Sequence, residues 1–286
     1  TTLFRSQPLP LVPRLSFLRP EIIICSNLKF DHPDVYRDFA HTQSVYLNFF
    51  LSLPQGGTII YYGDDTNLSA LIAKLAKLRP DINCYSYGLA GQHNYQLASA
   101  TLQLKVPGVF NQLNALACLA ALQTCGFEKE KIFQALSTFA SVKRRLELVR
   151  QINQADCWDD YAHHPSEIQA VIKALQEKYP HKKLVVAFQP HTYSRTKSLL
   201  GEFAQALAGN FQTLLLDIFP SARETVNQSI SSDILLDKIN QLSPALPALN
   251  LHQLAPLAAY LKQHLNSEMI FITLGAGDIY HLYDLF

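Results

Sequence analysis

The sequence has few of the features typical of membrane-spanning, secreted or nucleic-acid-binding proteins. It contains no apolar run of about 18 residues, the length a membrane-spanning helix requires. Its 24 Lys and Arg against 23 Asp and Glu give a net charge of +1, so nothing points to nucleic acid or an anionic membrane as partner. The first twenty residues lack the basic-then-apolar pattern of a signal peptide.

Cysteine is also scarce, and its five positions are scattered and mostly inside apolar runs: Cys25, Cys84, Cys118, Cys125 and Cys157. The odd number and irregular spacing do not form a disulfide framework, and no pair has the spacing of zinc ligands. We therefore predict buried free thiols and a cytoplasmic location.

The length of 286 residues and the apolar fraction of 48% predict two domains, each with its own core. We place the boundary near Arg150, which gives domains at 1–149 and 150–286. In the second domain, strand patterns alternate with helical patterns, which predicts an α/β fold with a mostly parallel sheet. The strand patterns lie at 156–160, 184–189, 213–218 and 269–274, with a weaker one at 246–251; the helical patterns lie at 166–179, 195–208, 233–241 and 255–265.

The first domain shows strand patterns at 21–26, 58–62 and 82–87. Helical patterns run from about 35 to 54, from 68 to 78, from 111 to 125 and from 128 to 139. The stretch from 88 to 105 is more variable, and we expect an antiparallel arrangement there.

Unusual polar chemistry follows four strand patterns of the second domain. The segments are Asp-Asp-Tyr-Ala-His-His-Pro at 159–165, Phe-Gln-Pro-His-Thr-Tyr-Ser-Arg-Thr at 188–196, Asp-Ile-Phe-Pro-Ser-Ala-Arg-Glu at 217–224 and Leu-Gly-Ala-Gly-Asp at 274–278. Right-handed crossovers bring these strand ends to one edge of the sheet, which is where open α/β sheets bind ligands. Any single segment could be a turn or a helix cap, but four on one edge favour a binding site.

The residue types in these segments suit an anionic ligand. Arg195 and Arg223 can each bind a carboxylate or phosphate through two parallel hydrogen bonds. Gly275 and Gly277 let the backbone approach a ligand closely. The Gly-Ala-Gly run lacks the third glycine and the early βαβ context of a dinucleotide fingerprint, so we do not expect NAD.

Three features of the first domain have two interpretations each. His32 could ligate a divalent metal or cap the helix that follows. Asn111 and Asn114 share a helix face, which suits the edge of an adenine or a pair of N-terminal caps. The basic run 143–145 suits a phosphate or forms a solvated surface patch.

These motifs, in this order, resemble those of the Mur ligase family, the ATP-dependent amide ligases of peptidoglycan precursor synthesis. The resemblance rests on segments 27–32, 106–114, 144–147, 159–165, 188–196 and 275–278 and covers nearly everything from about residue 17 onward. It implies a partial central ATP-binding domain at 1–149 and a Rossmann-like C-terminal ligase domain at 150–286.

The resemblance also implies a reaction. ATP phosphorylates the muramyl carboxylate, an amino group attacks the acyl phosphate, and phosphate leaves, with the protein positioning groups and stabilising charge around phosphate and Mg²⁺. The segments 159–165 and 188–196 together imply the member that joins L-alanine to UDP-N-acetylmuramate. The member that recycles whole tripeptides is the alternative, since it is similar at 27–32 and 144–147 but usually lacks Phe-Gln-Pro-His.

Carried over residue by residue, the resemblance implies that His32 binds Mg²⁺. It implies that Asn111 and Asn114 contact the adenine. It implies that Arg144 and Arg145 contact a phosphate of the nucleotide, and that either Asp159 or Asp160 makes a ribose or nucleotide contact. It implies that the amino-acid and acyl-phosphate site contains Tyr161, His163, His164, His191 and Arg195.

The sequence departs from the family pattern at several places. It contains no Gly-x-x-Gly-Lys-Thr phosphate loop, no acidic magnesium residue before the first strand and no domain for the UDP sugar. Phe110 and Thr192 stand where some members have His and Arg. We therefore expect the chain alone to be inactive and to depend on a missing N-terminal portion or a complementary chain. A non-catalytic nucleotide- or substrate-binding module, or half of a split enzyme, is the second hypothesis.

Overall fold

The computed structural model describes residues 13–30, 35–97, 102–221, 224 and 227–286. The chain divides into two compact units, Thr1–Leu104 with Phe110–Thr138, and Lys105–Val109 with Phe139–Phe286. The long segment of the second unit thus begins at Phe139, earlier in the chain than the boundary that we placed near Arg150. Within this difference, residues 147–149 belong to a strand, 147–152, that pairs with the sheet of the second unit.

The first unit contains strands β1 (Ile22–Cys25), β2 (Thr58–Tyr62), β3 (Asn83–Gly88) and β4 (Tyr95–Gln96). They form one sheet in the order β1-β2-β3-β4, and every pair is parallel. The antiparallel arrangement expected after residue 88 is therefore wrong for the part of that stretch the structure describes, because Tyr95 pairs with Tyr87 in parallel register.

Helices cover both faces of this sheet: α1 (Phe39–Leu51), α2 (Thr66–Leu78), α3 (Val109–Thr124) and α4 (Lys129–Thr138). Successive strand residues point to opposite faces. Ile59 accordingly packs in a core with α1 and α2, while Ile60 packs in a second core with α3 and α4. Burial on both faces explains why β2 is an almost continuous apolar run.

The second unit contains strands β5 (Glu147–Ile152), β6 (Ala155–Asp160), β7 (Lys183–Phe188), β8 (Gln212–Leu216), β9 (Leu249–His252) and β10 (Met269–Leu274). Their order in the sheet is β5-β6-β10-β7-β8-β9. Only the β5–β6 pair among these is antiparallel. The five strands predicted in this unit are confirmed, and β5 is a strand that the sequence analysis missed.

The helices of the second unit are α5 (Pro165–Lys178), α6 (Tyr193–Ser198), α7 (Leu200–Leu207), α8 (Ser232–Leu242) and α9 (Leu254–His264), followed by a 3₁₀ helix at Ile279–Leu285. The single helix predicted at 195–208 is wrong, because Leu199 leaves helical geometry with φ −114° and ψ 23° and divides it into α6 and α7.

The connections that follow the strands change from one face of the second sheet to the other beside β10. Phe188 packs on Phe203 of α7 and Trp158 on Tyr179 after α5, so these helices cover one face. The opposite face carries α9 and the 3₁₀ helix, which pack in a core with Phe271. The loops after β6 and β7 thus lead to one face, and the loop after β10, which lies between them, leads to the other. Such a reversal opens a crevice at the carboxyl ends of the strands.

All five cysteines are free, as predicted, but only Cys25 and Cys157 are buried; Cys84 and Cys118 are half-buried and Cys125 is exposed. No helix in the described ranges is long and apolar enough to cross a membrane.

Candidate functional site

Four loops meet at the carboxyl edge of the second sheet. The ring of His163, after β6, lies 6.3 Å between centroids from that of His191, after β7. His191 in turn stacks on Phe219, after β8, at 6.0 Å and an interplanar angle of 21°. The loop after β10 contacts the loop after β7 through Gln189, which donates to Asp278 Oδ1 at 2.8 Å. The predicted convergence of these strand ends is confirmed.

The two histidines after β6 have different surroundings. His163 Nδ1 lies 3.0 Å from the carbonyl of Tyr161, and the two rings meet edge to face at 5.3 Å. Because a carbonyl only accepts, a neutral His163 carries its proton on Nδ1 and keeps a lone pair on Nε2. His164 instead caps α5: its ring accepts from Ser166 N, and Glu167 accepts from the His164 N–H. His164 is therefore the N-terminal cap of α5.

The segment after β7 positions His191 and Arg195. Thr192 caps the first turn of α6, and its side chain accepts from Arg195 N at 3.3 Å. The Arg195 side chain folds back, with an Nη1 to His191 Nδ1 distance of 3.5 Å. Arg195 is only 6% exposed. The structure thus brings together two residues of the predicted amino-acid site, a guanidinium and an imidazole.

Glu224 is a residue to which the sequence analysis gave no role. Its carboxylate accepts from Tyr193 N at 2.8 Å and from Ser194 N at 2.9 Å. Burial raises the pKa of Glu224, but the hydrogen bonds from Ser194 and Tyr193 and the nearby His191 outweigh it, so the pKa is lowered. A carboxylate inside a polar segment that follows a predicted strand was the available signal.

The glycine loop after β10 is tight because protein atoms fill the space above it. A Cβ on Gly275 would lie 2.8 Å from the Gln189 carbonyl, and one on Gly277 would lie 2.7 Å from Phe219 Cγ. Gln189 Oε1 also accepts from Ile279 N at 3.1 Å. We expected the absence of side chains at these glycines to let a ligand approach the backbone closely. In the structure, Gln189 and Phe219 occupy that space.

Arg144 is enclosed by its own protein. Its Nε lies 3.2 Å from Asp159 Oδ2, and its two Nη atoms donate to the carbonyls of Gly275 at 2.6 Å and Gly277 at 3.3 Å. The rings of Tyr161 and Tyr280 lie 4.9 Å and 4.3 Å from the guanidinium carbon. These five contacts occupy the Arg144 guanidinium, to which the resemblance assigns a contact with a nucleotide phosphate.

Arg145 is the more accessible of the two arginines. Its side chain is exposed, with the guanidinium carbon 5.6 Å from the Tyr161 ring. Within the basic run, the Arg144 side chain therefore binds protein groups, whereas the Arg145 side chain is exposed.

Asp159 and Asp160 are buried, at 2% and 3% exposure. Asp159 accepts from Thr273 Oγ1 at 2.6 Å in addition to pairing with Arg144. Asp160 accepts from the backbone N–H groups of Leu146 and Ala162, both at 2.7 Å. Burial raises the pKa of Asp159, and it raises that of Asp160 to about 6 despite these bonds. Both carboxylates thus bind protein groups, which differs from the ribose or nucleotide contact we expected of one of them.

In the first unit, Asn111 and Asn114 lie one turn apart at the start of α3, so their side chains share a face as predicted. Asn114 is exposed and Asn111 half-buried. His32 and Arg223 lie outside the described residues. Across the described ranges, no group of three or more His, Cys, Asp or Glu could hold a metal ion, so no residue there is assigned to Mg²⁺.

Comparison with known families identifies the chain. Residues 6–122 match the family described as "Mur ligase middle domain", and residues 144–277 match "Mur ligase, glutamate ligase domain". The chain belongs to the Mur ligase family. The resemblance found in the motifs is thereby confirmed, together with the two-part α/β architecture.

Two relatives of this Mur ligase chain carry the same name. It is 34% identical over 273 residues to the UDP-N-acetylmuramate–L-alanine ligase of Desulfitobacterium hafniense, covering 91% of the chain and 60% of that protein. It is 33% identical over 297 residues to the enzyme of the same name from Acetivibrio thermocellus, covering 95% of the chain and 61% of that protein. The Mur ligase chain thus spans about 60% of the length of these relatives.

Solved structures agree with the fold of this Mur ligase chain. The UDP-N-acetylmuramate–alanine ligase MurC from Thermotoga maritima matches with a TM-score of 0.72 at 23% identity, over 95% of the chain and 60% of that structure. The MurF ligase of the same organism, in complex with ADP, matches with a TM-score of 0.71 at 15% identity, over 95% of the chain and 62% of that structure.

Proposed function

We propose that this protein acts in the ATP-dependent formation of an amide bond between L-alanine and the carboxyl group of UDP-N-acetylmuramate, a step of peptidoglycan precursor synthesis. The observation that carries the proposal is the grouping of His163, His191 and Arg195 at one sheet edge. These residues come from the two segments that favour this member of the family. The names of relatives at 34% and 33% identity support the same choice.

Arg195 is the group proposed to bind the carboxylate of the amino acid. A guanidinium presents a rigid fork that matches a carboxylate through two hydrogen bonds. Its low exposure of 6% strengthens such a pairing, because screening by water is reduced. His191, 3.5 Å away, limits where the ligand can lie.

His163 is proposed as the proton acceptor for the attacking amine. The amine nitrogen forms a bond to the acyl carbon, the bond from that carbon to the phosphate oxygen breaks, and phosphate leaves with the electron pair. The nitrogen must lose one proton, and His163 Nε2 has the lone pair to take it because Nδ1 faces the Tyr161 carbonyl. Tyr161 orients the ring through this contact.

For the nucleotide, we propose that Asn111 and Asn114 contact the adenine and that Arg145 contacts a phosphate. ATP supplies the phosphoryl group that activates the carboxylate, and Mg²⁺ with His32 as a ligand is part of the same proposal. Arg144, Asp159 and Asp160 are proposed to hold the loop that carries Arg145, because their polar atoms already have protein partners. The cytoplasmic location is likewise a proposal, supported by the free cysteines.

Turnover in the full-length gene product tests the proposal. Phosphate release should require ATP, UDP-N-acetylmuramate and L-alanine together, and mass spectrometry should detect the amide product. His191→Ala and Arg195→Ala should each lower kcat/KM for L-alanine by about 10²- to 10⁴-fold, the range for lost acid–base or charge-stabilising groups. Lys173→Ala, an exposed change on α5, is the control and should leave turnover unchanged. Wild-type turnover in both site variants would remove them from the site.

The same assay separates the alternatives. A tripeptide accepted in preference to L-alanine, glycine or L-serine would favour the recycling ligase. Nucleotide binding with no turnover for any amine would favour the non-catalytic binding module. That candidate is kept because the 286 residues contain no Gly-x-x-Gly-Lys-Thr sequence.

A further inference from the structure

His191 and Arg195 flank a strained backbone turn. Thr192 has φ 69° and ψ 139°, a region that residues with a side chain rarely adopt. Such a conformation persists only where the surrounding structure holds it in place, and it is frequent at functional sites. The loop after β8 supplies part of that hold, since Thr192 N donates to the Phe219 carbonyl at 3.0 Å and Phe219 N donates to the Pro190 carbonyl at 2.8 Å.

Glu224 supplies the other part. Tyr193 and Ser194 are the first residues of α6, and N–H groups at a helix start have no partner within the helix. Both donate to the Glu224 carboxylate, one to each oxygen, at 2.8 and 2.9 Å. A charged acceptor makes such bonds shorter and stronger than a neutral one. The two bonds join residues that lie 31 and 30 positions apart in the sequence, so they fix the start of α6 to the loop after β8.

We propose that Glu224 is a positioning residue for the amino-acid site: by binding the N–H groups of Tyr193 and Ser194 it holds the Thr192 turn, and with it the orientation of His191 and Arg195. Glu224 itself does not touch the substrate in this proposal. The identity of the substrate rests on the proposed function, whereas the hold on the turn does not.

Glu224→Gln is the sharpest variant. An amide of nearly the same shape keeps one accepting oxygen but turns a donor toward the second N–H. Glu224→Asp keeps the charge on a side chain one methylene shorter and serves as the conservative variant. Glu202→Gln, at an exposed position in the first turn of α7, is the matched control because it makes the same chemical change.

Amide hydrogen exchange of the 286-residue chain tests the hold without any activity. In Glu224→Gln the protection of the Tyr193 and Ser194 amides should fall roughly ten-fold or more, the effect of losing a hydrogen bond to a charged group. Exchange in β6 and β7 should stay as in the wild type, and Glu202→Gln should change neither. Unchanged protection of Tyr193 and Ser194 in Glu224→Gln would overturn the proposal.

Kinetics of the full-length product test the consequence for the site. A 1 Å displacement of positioned groups can lower a rate on the order of 10²-fold. Glu224→Gln should therefore lower kcat/KM for L-alanine by that order while leaving KM for ATP unchanged, and Glu224→Asp should recover part of the loss. Equal losses of kcat/KM for L-alanine and for ATP would indicate general destabilisation and overturn the positioning role. If the wild type has no ligase activity but exchange changes as expected, the proposed function fails and the hold on the turn stands.

Discussion

Arg144 and Arg145 are adjacent and chemically identical, yet the structure gives them different surroundings. Arg144 pairs with the buried Asp159 and binds two carbonyls of the glycine loop. Arg145 is exposed. No local sequence rule separates them, because the carbonyls bound by Arg144 lie 131 and 133 residues further along the chain.

Substituting each arginine should separate stability from binding. Arg144→Ala leaves the Asp159 carboxylate buried without its charge partner, which should cost about 3 kcal/mol of the free energy of unfolding. Arg145→Ala should change that free energy by less than about 0.5 kcal/mol, as at other exposed positions, while weakening nucleotide binding. Chemical denaturation followed by Trp158 fluorescence measures the first effect, since Trp158 is the single tryptophan and precedes Asp159. Equal destabilisation by the two variants would contradict the division.

Asp160 makes the stability of the second unit depend on pH. Burial raises the pKa of Asp160 to about 6 from its ordinary value of 3.8. A carboxyl group with a raised pKa binds its proton more tightly in the folded state, so its contribution is most favourable at low pH and is lost as pH rises between these two values. A shift of this size corresponds to about 3 kcal/mol. Asp159, whose pKa is also raised by burial, acts in the same direction.

We expect Asp160→Asn to reduce this slope. The midpoint of denaturation, followed by Trp158 fluorescence between pH 4.5 and about pH 7, should fall less in the variant than in the wild type. The slope is the quantity to compare, because an amide at this position also leaves one backbone N–H facing another donor. Asp237→Asn, at an exposed position of α8, is the control and should keep the wild-type slope. An unchanged slope in Asp160→Asn would refute the assignment.

At the scale of elements, the loop after β10 fits between its neighbours only because it is made of small residues. β10 lies between β6 and β7, so its loop leaves the sheet beside Gln189 and close to Phe219. The glycine pair was readable from sequence as a place of close approach. What approaches it was not readable, because the position of β10 in the sheet order is set by crossovers and not by the local sequence.

Two glycine substitutions test this packing. A Cβ on Gly277 would meet Phe219 Cγ at 2.7 Å, so Gly277→Ala should destabilise the second unit by about 1–3 kcal/mol. Gly201 lies in α7 with nothing within 4 Å of an added Cβ, so Gly201→Ala should stabilise it by about 0.5–1 kcal/mol. Denaturation midpoints measured by Trp158 fluorescence should therefore move in opposite directions. An unchanged denaturation midpoint in Gly277→Ala would show that the loop can accommodate a Cβ, which would contradict the tight packing.

At the scale of the whole molecule, the proposed site residues are divided between the two units. Asn111 and Asn114 belong to the first unit, and His163, His191 and Arg195 belong to the second. The chain also spans about 60% of the length of its ligase relatives. The requirement for ATP, UDP-N-acetylmuramate and L-alanine is therefore a prediction for the whole protein, whereas the stability and exchange predictions concern residues of the second unit.

The sequence alone determined the family, the alternation of strands and helices in the second unit and the meeting of four polar segments at one edge. It could do so because side-chain periodicity and right-handed crossovers are local or nearly universal rules. The tertiary structure decided which polar groups turn inward: Asp159, Asp160 and Arg144 bind protein atoms. It also revealed the bond from Glu224 to α6. These outcomes depend on strand order and on an antiparallel edge strand, which bring together groups far apart in sequence, and no local pattern encodes that.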